Sequence, residues 1–486
     1  MYILPDQFRA QAIGVWGSPG FRDRFRGVCD PVETPNLNAL AKQSTLFSQA
    51  CSTYPLCSPH RAMLMSGMFP RHNGVPYTNC RSDRPEVGMK HSFECFTDVL
   101  NRQGYETAYV GKTHWERTEA LFDQDASYVG TKGASGGCFA NEYDTYVPPG
   151  PGRRGNQYWF QNIGDVHKDA ISYSNEPSLI QGKADGEPHR HRRFTPEMEA
   201  DIVVDYLRNK DGQRSESRPF SLIWSPNPPH NPYTDVDRDC DRAVYETYYR
   251  DMAVGDALNR PNVRPTEDDV AERAARIYFT LVTSIDQQVG RVLEALEQTG
   301  QAENTIVVFT SDHGEMLGSH GQMGKGDIYD ESFLVPLMIR FPGVLKPCVE
   351  DLMIGTVDLM PTLLDLIGLA VHIPHTAQGT SFAQVLRSGD CDAVSRPASA
   401  LYLNGPRRKG VRTDRYTYVV DLDDGINLFD QDADPYQTEK LSPDDIDPAD
   451  WDFLRRELGR WLERAEDEWA ERKTRQEWVS YPEMSA

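Results

Sequence analysis

Residues 305–314 of the chain, TIVVFTSDHG, form an apolar run that ends abruptly in polar residues. The β-branched and aromatic residues of 305–310 predict a buried strand, because such side chains pack well on extended backbone. In open α/β sheets, ligands bind beyond the carboxyl ends of the strands. Asp312 and His313 are therefore candidates for a functional site, although on their own they also fit a helix cap followed by a turn.

Other short apolar segments repeat this arrangement of a strand followed by polar side chains. The predicted strands are 2–4, 107–110, 220–224 and 336–341. The polar residues that follow three of them are Asp6, Gln7, Lys112, His114 and His230. Between the strands lie helical patterns, the longest over 267–299 with Gly300 as its stop. Strands alternating with helices predict an α/β fold with a mixed, mainly parallel sheet between helices.

The pattern changes after about residue 379. Segments 416–420 and 426–429, separated by Asp423-Asp424-Gly425, predict an antiparallel hairpin, and charged helical sequence follows from 450. We therefore expect a large α/β domain over 1–378 and a smaller C-terminal α+β subdomain over 379–486. Segment 148–188 is rich in glycine, asparagine and aromatic residues, and it predicts loops over one end of the sheet. Its aromatic residues 158–160 either stack on a sugar ring or form a small local core.

Charge and cysteine usage exclude several classes of protein. The 486 residues include 51 Lys and Arg against 73 Asp and Glu, a net charge of −22, which argues against nucleic acid or an anionic membrane as partner. No apolar run approaches the roughly 20 residues that a transmembrane helix needs. The nine cysteines form no CxxC pair, which favours reduced thiols over disulfides or a zinc site. We expect a cytoplasmic protein, or a periplasmic one if a leader has been removed.

The residues after two of the strands have the chemistry of a metal site. Asp6 and Asp312 offer carboxylates, Gln7 offers an amide oxygen and His313 offers an imidazole nitrogen. Hard oxygen donors suit calcium, magnesium or manganese, and the nitrogen donor favours manganese among these. The sequence therefore predicts one divalent cation bound where the strand exits meet.

A second candidate site is the segment Cys57-Ser58-Pro59-His60-Arg61. Ser58 and Pro59 are typical of a helix N-cap and first helical position, and Gly67 is a typical stop. Cys57 is thus expected at a helix N-terminus, where free N–H groups favour an anion. The alternatives are an ordinary buried cysteine and a thiolate nucleophile of low pKa.

Segment 57–67, with its Cys-x-Pro-x-Arg pattern ending in Ser-Gly, resembles the signature of the type I (formylglycine-dependent) sulfatase family. Other segments are similar to that family in the same order along nearly the whole chain. They are TPNL at 34–37, GKTH at 111–114, PHNP at 229–232, TSDHGE at 310–315, GKG at 324–326, VRTDRY at 411–416 and LFD at 428–430.

This resemblance implies an alkaline-phosphatase-like fold and a sulfuric ester hydrolase. It implies that an installing enzyme oxidises Cys57 to formylglycine, an aldehyde that hydrates to a gem-diol. Asp6, Gln7, Asp312 and His313 would bind the metal, with Ca²⁺ expected first and Mn²⁺ or Mg²⁺ as alternatives.

The resemblance also implies roles for the remaining catalytic candidates. Arg61 and Lys112 would support the diol and the sulfuryl oxygens, and His114 would act on the diol. His230 and Lys325 would serve the leaving group. A sulfated carbohydrate, small or oligomeric, is the expected substrate.

Two positions depart from the usual family pattern. Gln7 replaces a second aspartate and lowers the ligand charge by one. In the combination of Gln7 with His313 the chain resembles relatives that cleave phosphonate and phosphate esters. A phosphonate or phosphate monoester hydrolase, or an arylsulfatase, is therefore the alternative function. A catalytically silent carbohydrate-binding relative is the non-enzymatic alternative.

His60 stands where a small residue is usual, and either touches the substrate or faces solvent.

The segment 188–193, PHRHRR, is a basic run in an acidic chain. Arg190 and Arg192 are predicted to dock an anionic sugar chain at the mouth of the pocket. The alternative is that the run is a solvated loop, because clustered charges are most often exposed.

Overall fold

The computed structural model describes residues 1–78, 87–117, 144–163, 166–388 and 396–471. A ten-stranded sheet forms the centre of the molecule, in the order β10-β2-β9-β8-β1-β7-β3-β4-β5-β6. Its strands are β1 Tyr2–Ile3, β2 Thr45–Phe47, β3 Glu106–Gly111, β4 Tyr158–Ile163, β5 Ile171–Ser174, β6 His189–Arg190, β7 Phe220–Ser225, β8 Val307–Thr310, β9 Leu337–Arg340 and β10 Cys348–Glu350.

The five central strands β8, β1, β7, β3 and β4 run parallel to one another. Antiparallel pairs lie outside them, where β9 joins β8 and β2, and where β5 joins β4 and β6. All carboxyl ends of the central strands therefore open onto the same edge. The predicted mixed, mainly parallel sheet is confirmed.

Helices cover both faces of this sheet. The helices are α1 Pro35–Ala41, α2 Cys57–Ser66, α3 Pro70–Asn73, α4 Phe96–Arg102, α5 Thr195–Leu207, α6 Val236–Asp239, α7 Arg242–Val244, α8 Val254–Ala257, α9 Val270–Gln298, α10 Asp330–Phe333, α11 Thr356–Leu366, α12 Ala383–Ser388, α13 Pro448–Arg464 and α14 Glu468–Glu471. Alternation along β7 separates two cores: Leu222 and Trp224 pack with α9 and α5, whereas Ile223 packs with α2 and α11. The long helix predicted over 267–299 is confirmed as α9.

A second sheet lies in the C-terminal part of the chain. Four antiparallel strands, β11 Ser399–Asn404, β12 Arg408–Thr413, β13 Tyr416–Asp421 and β14 Gly425–Asp430, pair in sequence order. The predicted hairpin is β13–β14, and Gly425 takes the positive φ of 74° that its turn requires. Helix α13 packs Leu454 and Leu458 against this sheet. The end of the predicted C-terminal helical region lies outside the described residues.

The prediction of loops over 148–188 is wrong for the two strands within that segment, β4 and β5. Tyr158, Trp159 and Phe160 belong to β4, which pairs in parallel with β3, and β5 and β6 extend the sheet further. All three aromatic side chains are buried, so they are core residues and do not stack on a ligand. The glycine and asparagine residues around 158–163 are typical of loops, so local composition does not indicate a strand there. The strand forms because it pairs with β3, which is distant in sequence.

In the part of the chain that the structure describes, no helix has the length and apolar character to cross a bilayer. Among the cysteines of the described residues, Cys29, Cys51, Cys57, Cys95 and Cys240 form no disulfide. This agrees with the expected reduced thiols for those positions, while Cys80, Cys138 and Cys391 lie outside the described residues.

Gly111 ends β3 immediately before Lys112 and is expected to be intolerant of a side chain. Its φ is +114°, and a Cβ atom there would lie 2.2 Å from the backbone oxygen of Ser225 on β7. Gly111→Ala should lower the free energy of unfolding by about 2–5 kcal/mol in denaturant titration, through backbone strain and overpacking. Gly104→Ala is the control, because Gly104 also has positive φ but an added Cβ meets nothing within 4 Å. An equal loss in both variants would contradict the role of the close β3–β7 approach.

Candidate active site

Loops that follow neighbouring strands bring polar side chains together at the carboxyl edge of the sheet. Asp6 follows β1, Lys112 follows β3, Asn227 follows β7 and Asp312 follows β8. The Lys112 ammonium contacts the Asp6 carboxylate and lies 3.2 Å from the Asn227 Oδ1 atom. Asp6 and Asp312 have no exposed surface. The strand exits picked out in the sequence therefore do converge.

Cys57 lies at the centre of this group. Its Sγ atom is 3.2 Å from His313 Nε2, 3.2 Å from Lys325 Nζ, 3.8 Å from Asp6 Oδ1 and 3.9 Å from Lys112 Nζ. The sulfur is thus surrounded by two ammonium groups, an imidazole and a carboxylate, which is not the setting of an ordinary core cysteine.

Helix α2 positions the Cys57 side chain at its first residue. The predicted N-cap at Ser58 is wrong: the cap is Leu56, whose carbonyl accepts from the His60 N–H at 3.0 Å, so the helix begins earlier. The predicted end at Gly67 is confirmed, since Gly67 has φ of 64°. Cys57 therefore occupies the helix N-terminus, where the helix dipole favours negative charge.

Arg61, one turn further along α2, links three of the strand exits. Its Nε atom donates to Asp312 Oδ2 at 2.9 Å, Nη2 to Asp6 Oδ2 at 3.1 Å, and Nη1 to Ser225 Oγ at 2.6 Å. The guanidinium is completely buried. Because a buried charge is costly unless it is fully paired, these contacts hold both carboxylates in place.

The donor set of this cluster fits a divalent cation. Asp6, Cys57, Asp312 and His313 each present one ligand atom, and these atoms lie within 4.8 Å of one another. The His313 Nδ1 atom lies 3.0 Å from the Gly314 carbonyl oxygen, so Nδ1 carries the hydrogen and Nε2 faces the carboxylates. The backbone N–H of Gln7 donates to Asp312 Oδ1 at 3.1 Å, and the Gln7 Oε1 atom accepts from Lys325 Nζ, which itself lies 3.2 Å from the Cys57 sulfur.

The pKa values of two groups report the strong local fields. Burial and Asp6 act to raise the pKa of Cys57, but Lys112, Lys325 and His313 together hold it well below its usual value. Burial opposes a charge on His313, whereas Asp312 and the neighbouring anions raise its pKa to about 10. The carboxylates thus attract positive charge strongly, and a metal cation would replace the proton on His313.

Lys325 and His230 form a contacting pair, and Lys325 is the member that lies beside Cys57. The Lys325 ammonium donates to Gln7 Oε1 at 2.9 Å and contacts the His230 Nε2 atom. His230 Nδ1 lies 2.9 Å from the Asn231 carbonyl oxygen. The two predicted leaving-group residues therefore contact each other, and Lys325 lies 3.2 Å from the Cys57 sulfur.

His114 is placed by an acidic residue that the sequence had not indicated. The backbone N–H of His114 donates to Asp144 Oδ2 at 3.2 Å, and the Thr113 hydroxyl lies 3.4 Å from the same oxygen. Burial raises the pKa of Asp144, and the nearby His114 opposes that rise. His114 is buried two residues beyond Lys112, and its action on the nucleophile remains a prediction.

The three predicted substrate residues do not join the catalytic cluster. His60 is 1% exposed, so the solvent-facing alternative is wrong; its Nδ1 atom lies 2.8 Å from the Ser52 hydroxyl and 3.2 Å from that of Thr356. Arg190 and Arg192 are exposed at the β6 edge, five strands from β1 and hence about 24 Å away along the sheet. Their binding of substrate remains a prediction.

Several residues of the site were missed by sequence reasoning. They are Ser52, Asp144, Ser225, Asn227, Tyr233 and Glu315. Ser225 and Asn227 lie in the 225–230 strand exit and Glu315 directly follows Asp312-His313-Gly314, so position was an available signal for these three. The Ser52 hydroxyl lies 2.6 Å from the Asp312 carbonyl oxygen, and no local pattern marks it.

Comparison with protein-family models finds two matches. The model described as Sulfatase matches residues 1–369, and the model described as N-sulphoglucosamine sulphohydrolase, C-terminal, matches residues 318–459. An Endo-4-O-sulfatase of Bacteroides thetaiotaomicron is 36% identical over 507 aligned positions, which cover 99% of this chain and 95% of that protein.

Solved structures show the same likeness. A structure from work on the metabolism of multiple glycosaminoglycans by Bacteroides thetaiotaomicron superposes with a TM-score of 0.88 at 34% identity, covering 99% of each chain. A phosphonate monoester hydrolase from Silicibacter pomeroyi superposes with a TM-score of 0.62 at 22% identity over 96% of each chain, which shows a shared fold only.

Asp312→Asn is expected to reduce metal binding, because it removes a negative ligand and a partner of Arg61. Elemental analysis of the folded variant should find less than stoichiometric metal. Asp251→Asn, which changes an exposed carboxylate, is the control and should keep the metal content of the unaltered protein. Unchanged metal in Asp312→Asn would rule out Asp312 as a ligand.

Proposed function

Since this chain belongs to the sulfatase family, an enzyme family of sulfuric ester hydrolases with an alkaline-phosphatase-like fold, we propose that its substrate is a sulfated carbohydrate. The observation that carries the proposal is the setting of Cys57, which lies at a helix N-terminus within 4 Å of both Lys112 Nζ and Lys325 Nζ. The similarity to an Endo-4-O-sulfatase over nearly the full length of both chains supports the substrate class.

The family generally uses a divalent metal together with a formylglycine made from the signature cysteine. We propose Ca²⁺ as the metal, held by Asp6, Gln7, Asp312 and His313, because three of these four residues offer hard oxygen donors. Mn²⁺ and Mg²⁺ are the alternatives. When present, the metal supplies Lewis-acid activation and the formylglycine of position 57 supplies the nucleophile.

We assign Lys112, Lys325 and Arg61 to support of the charged sulfuryl group. The ammonium groups of Lys112 and Lys325 lie within 4 Å of the Cys57 sulfur, and Arg61 pairs with the Asp6 carboxylate. Negative charge spreads over the sulfuryl oxygens during transfer, and preorganised positive groups stabilise it without reorganisation. Lys112 is itself oriented by Asp6 and Asn227, so its ammonium cannot swing away freely.

Proton transfer falls to the residues around the sulfur. We assign leaving-group protonation to the contacting pair Lys325 and His230, since an alkoxide is a poor leaving group unless it is protonated. His114 is assigned as the base that acts on the nucleophile. The Asp144 carboxylate accepts the backbone N–H of His114 and so orients the His114 backbone.

Hydrolysis of phosphonate or phosphate monoesters is the second candidate function, favoured by the Gln7 and His313 ligand pair. Turnover of 4-nitrophenyl sulfate, 4-nitrophenyl phosphate and a phenylphosphonate monoester should be compared on one preparation of enzyme. The highest kcat/KM is expected for the sulfate. A panel of sulfated sugars then tests the carbohydrate assignment, and a preference for simple aryl sulfates over every sugar would favour an arylsulfatase.

Cys57→Ala should abolish turnover while the protein stays folded, because the nucleophile is lost. Intact-mass measurement of the unaltered protein, produced with a formylglycine-installing enzyme, should show a loss of about 18 Da at position 57. Cys348→Ala, which changes an exposed cysteine, should keep full activity. Activity retained in Cys57→Ala would remove the nucleophile assignment.

Lys325→Ala should slow substrates with poor leaving groups more than those with good ones. Nitrophenol departs without protonation, whereas a sugar hydroxyl needs it, so we expect an additional ~10²–10⁴-fold loss for the sugar sulfate. The measurement is kcat for both substrates, with Lys210→Ala as the exposed control. Equal losses for the two substrates would place Lys325 away from the leaving oxygen.

A further inference from the structure

The side-chain amide of Gln7 is held in a single orientation by its neighbours. Its Nε2 atom donates to the Tyr233 hydroxyl at 3.0 Å and to the Glu315 carboxylate, and its Oε1 atom accepts from Lys325 Nζ at 2.9 Å. A carboxylate only accepts hydrogen bonds and an ammonium only donates them. The Tyr233 hydroxyl donates to the Pro229 carbonyl at 2.7 Å, so it accepts from Gln7. All three neighbours therefore favour the same orientation of the amide, with Oε1 toward Lys325 and Nε2 toward Tyr233 and Glu315.

Glu315 also supports the loop that carries Lys325. Its Oε1 atom accepts the N–H of Leu317 at 2.9 Å and the N–H of Gly324, the residue before Lys325, at 2.7 Å. The Met316 N–H donates to the Gly324 carbonyl at 2.8 Å and closes the same turn. Glu315 has no exposed surface. One buried carboxylate thus contacts both a candidate metal ligand and the segment of a candidate acid.

We propose that Glu315 is a positioning residue that keeps the Gln7 amide oxygen turned toward the metal and holds the Lys325 segment in place. A positioning residue is needed because the Gln7 amide has two chemically different ends. An aspartate at that position would present oxygen in either orientation, whereas a glutamine presents oxygen in one and an N–H₂ donor in the other. This inference rests on the metal site of the proposed function.

Glu315→Gln separates positioning from simple packing, because the shape of the side chain is kept. The introduced amide has one acceptor end and one donor end, so it cannot accept from both Gln7 and the backbone N–H groups of Leu317 and Gly324. The Gln7 Nε2 atom then keeps the Tyr233 hydroxyl as an acceptor but loses the Glu315 carboxylate, its only charged acceptor among the described residues. We expect Ca²⁺ affinity to fall by about 10–100-fold, as for other residues that orient metal ligands.

Exchanging the two residues provides the decisive variant. Gln7→Glu alone places a second carboxylate against Glu315, which should weaken folding by like-charge repulsion, and it adds one negative charge at the metal position. Gln7→Glu combined with Glu315→Gln keeps the total charge and lets the introduced amide donate to the introduced carboxylate. The double variant should therefore bind Ca²⁺ more tightly than Glu315→Gln alone. A merely structural role of Glu315 predicts the same gain from Gln7→Glu in both backgrounds, whereas positioning predicts a larger gain when Glu315→Gln is also present.

Isothermal titration with Ca²⁺, and separately with Mn²⁺, on the full chain measures these affinities without any turnover. Glu303→Gln, which changes an exposed carboxylate, is the control, and circular dichroism with thermal melting checks that each variant is folded. Unaltered affinity in Glu315→Gln, an equal gain from Gln7→Glu in both backgrounds, or absence of binding by the unaltered protein would each overturn the proposal. Failure of the unaltered protein to hydrolyse sulfate esters while it binds Ca²⁺ would instead contradict only the proposed function.

Discussion

The guanidinium of Arg61 is buried between two carboxylates, and the arrangement of the site depends on that pairing. Its partners Asp6, Ser225 and Asp312 come from the exits of three adjacent strands, and all must lie at hydrogen-bond distance at once. A fully buried cation with a missing partner would cost several kcal/mol. The pairing therefore couples the order of the central strands, the position of α2 and the spacing of the two carboxylates. The same helix carries Cys57, so its sulfur is placed by the same constraint.

Two ammonium groups lie beside the Cys57 sulfur although the protein as a whole is acidic. The chain carries −22 overall, yet the Cys57 sulfur has two ammonium groups within 4 Å. Fields from exposed surface charges are screened beyond about 8 Å at physiological salt, whereas buried groups interact with little screening. The depressed pKa of Cys57 reflects this local balance. An acidic enzyme can therefore act on an anionic ester, because only the nearby groups determine its binding.

The 188–193 run and His60 are both predicted to touch the substrate, and for both of them the sequence position is a poor guide to the position in the fold. The 188–193 run has the composition of an anion-binding segment, but β5 and β6 place it at the outer edge of the sheet. His60 adjoins Arg61 in sequence, yet the helix turns its ring toward Ser52 and Thr356. Conversely, nothing in the TSDHGE segment predicts a role for Glu315, and its three hydrogen bonds form only where Gln7, Leu317 and Gly324 come close in the fold.

Local sequence determined the kinds of elements, the polar residues at the strand exits and the helix that begins with Cys57. These follow from side-chain periodicity and backbone preference, which act over a few residues. Only the tertiary structure decided which exits meet, which way Gln7 faces and that 158–160 form a strand. Gln7 and Asp312, joined by one hydrogen bond, are 305 positions apart. Such contacts arise from strand pairing and burial of the whole chain, and no short stretch of residues encodes them.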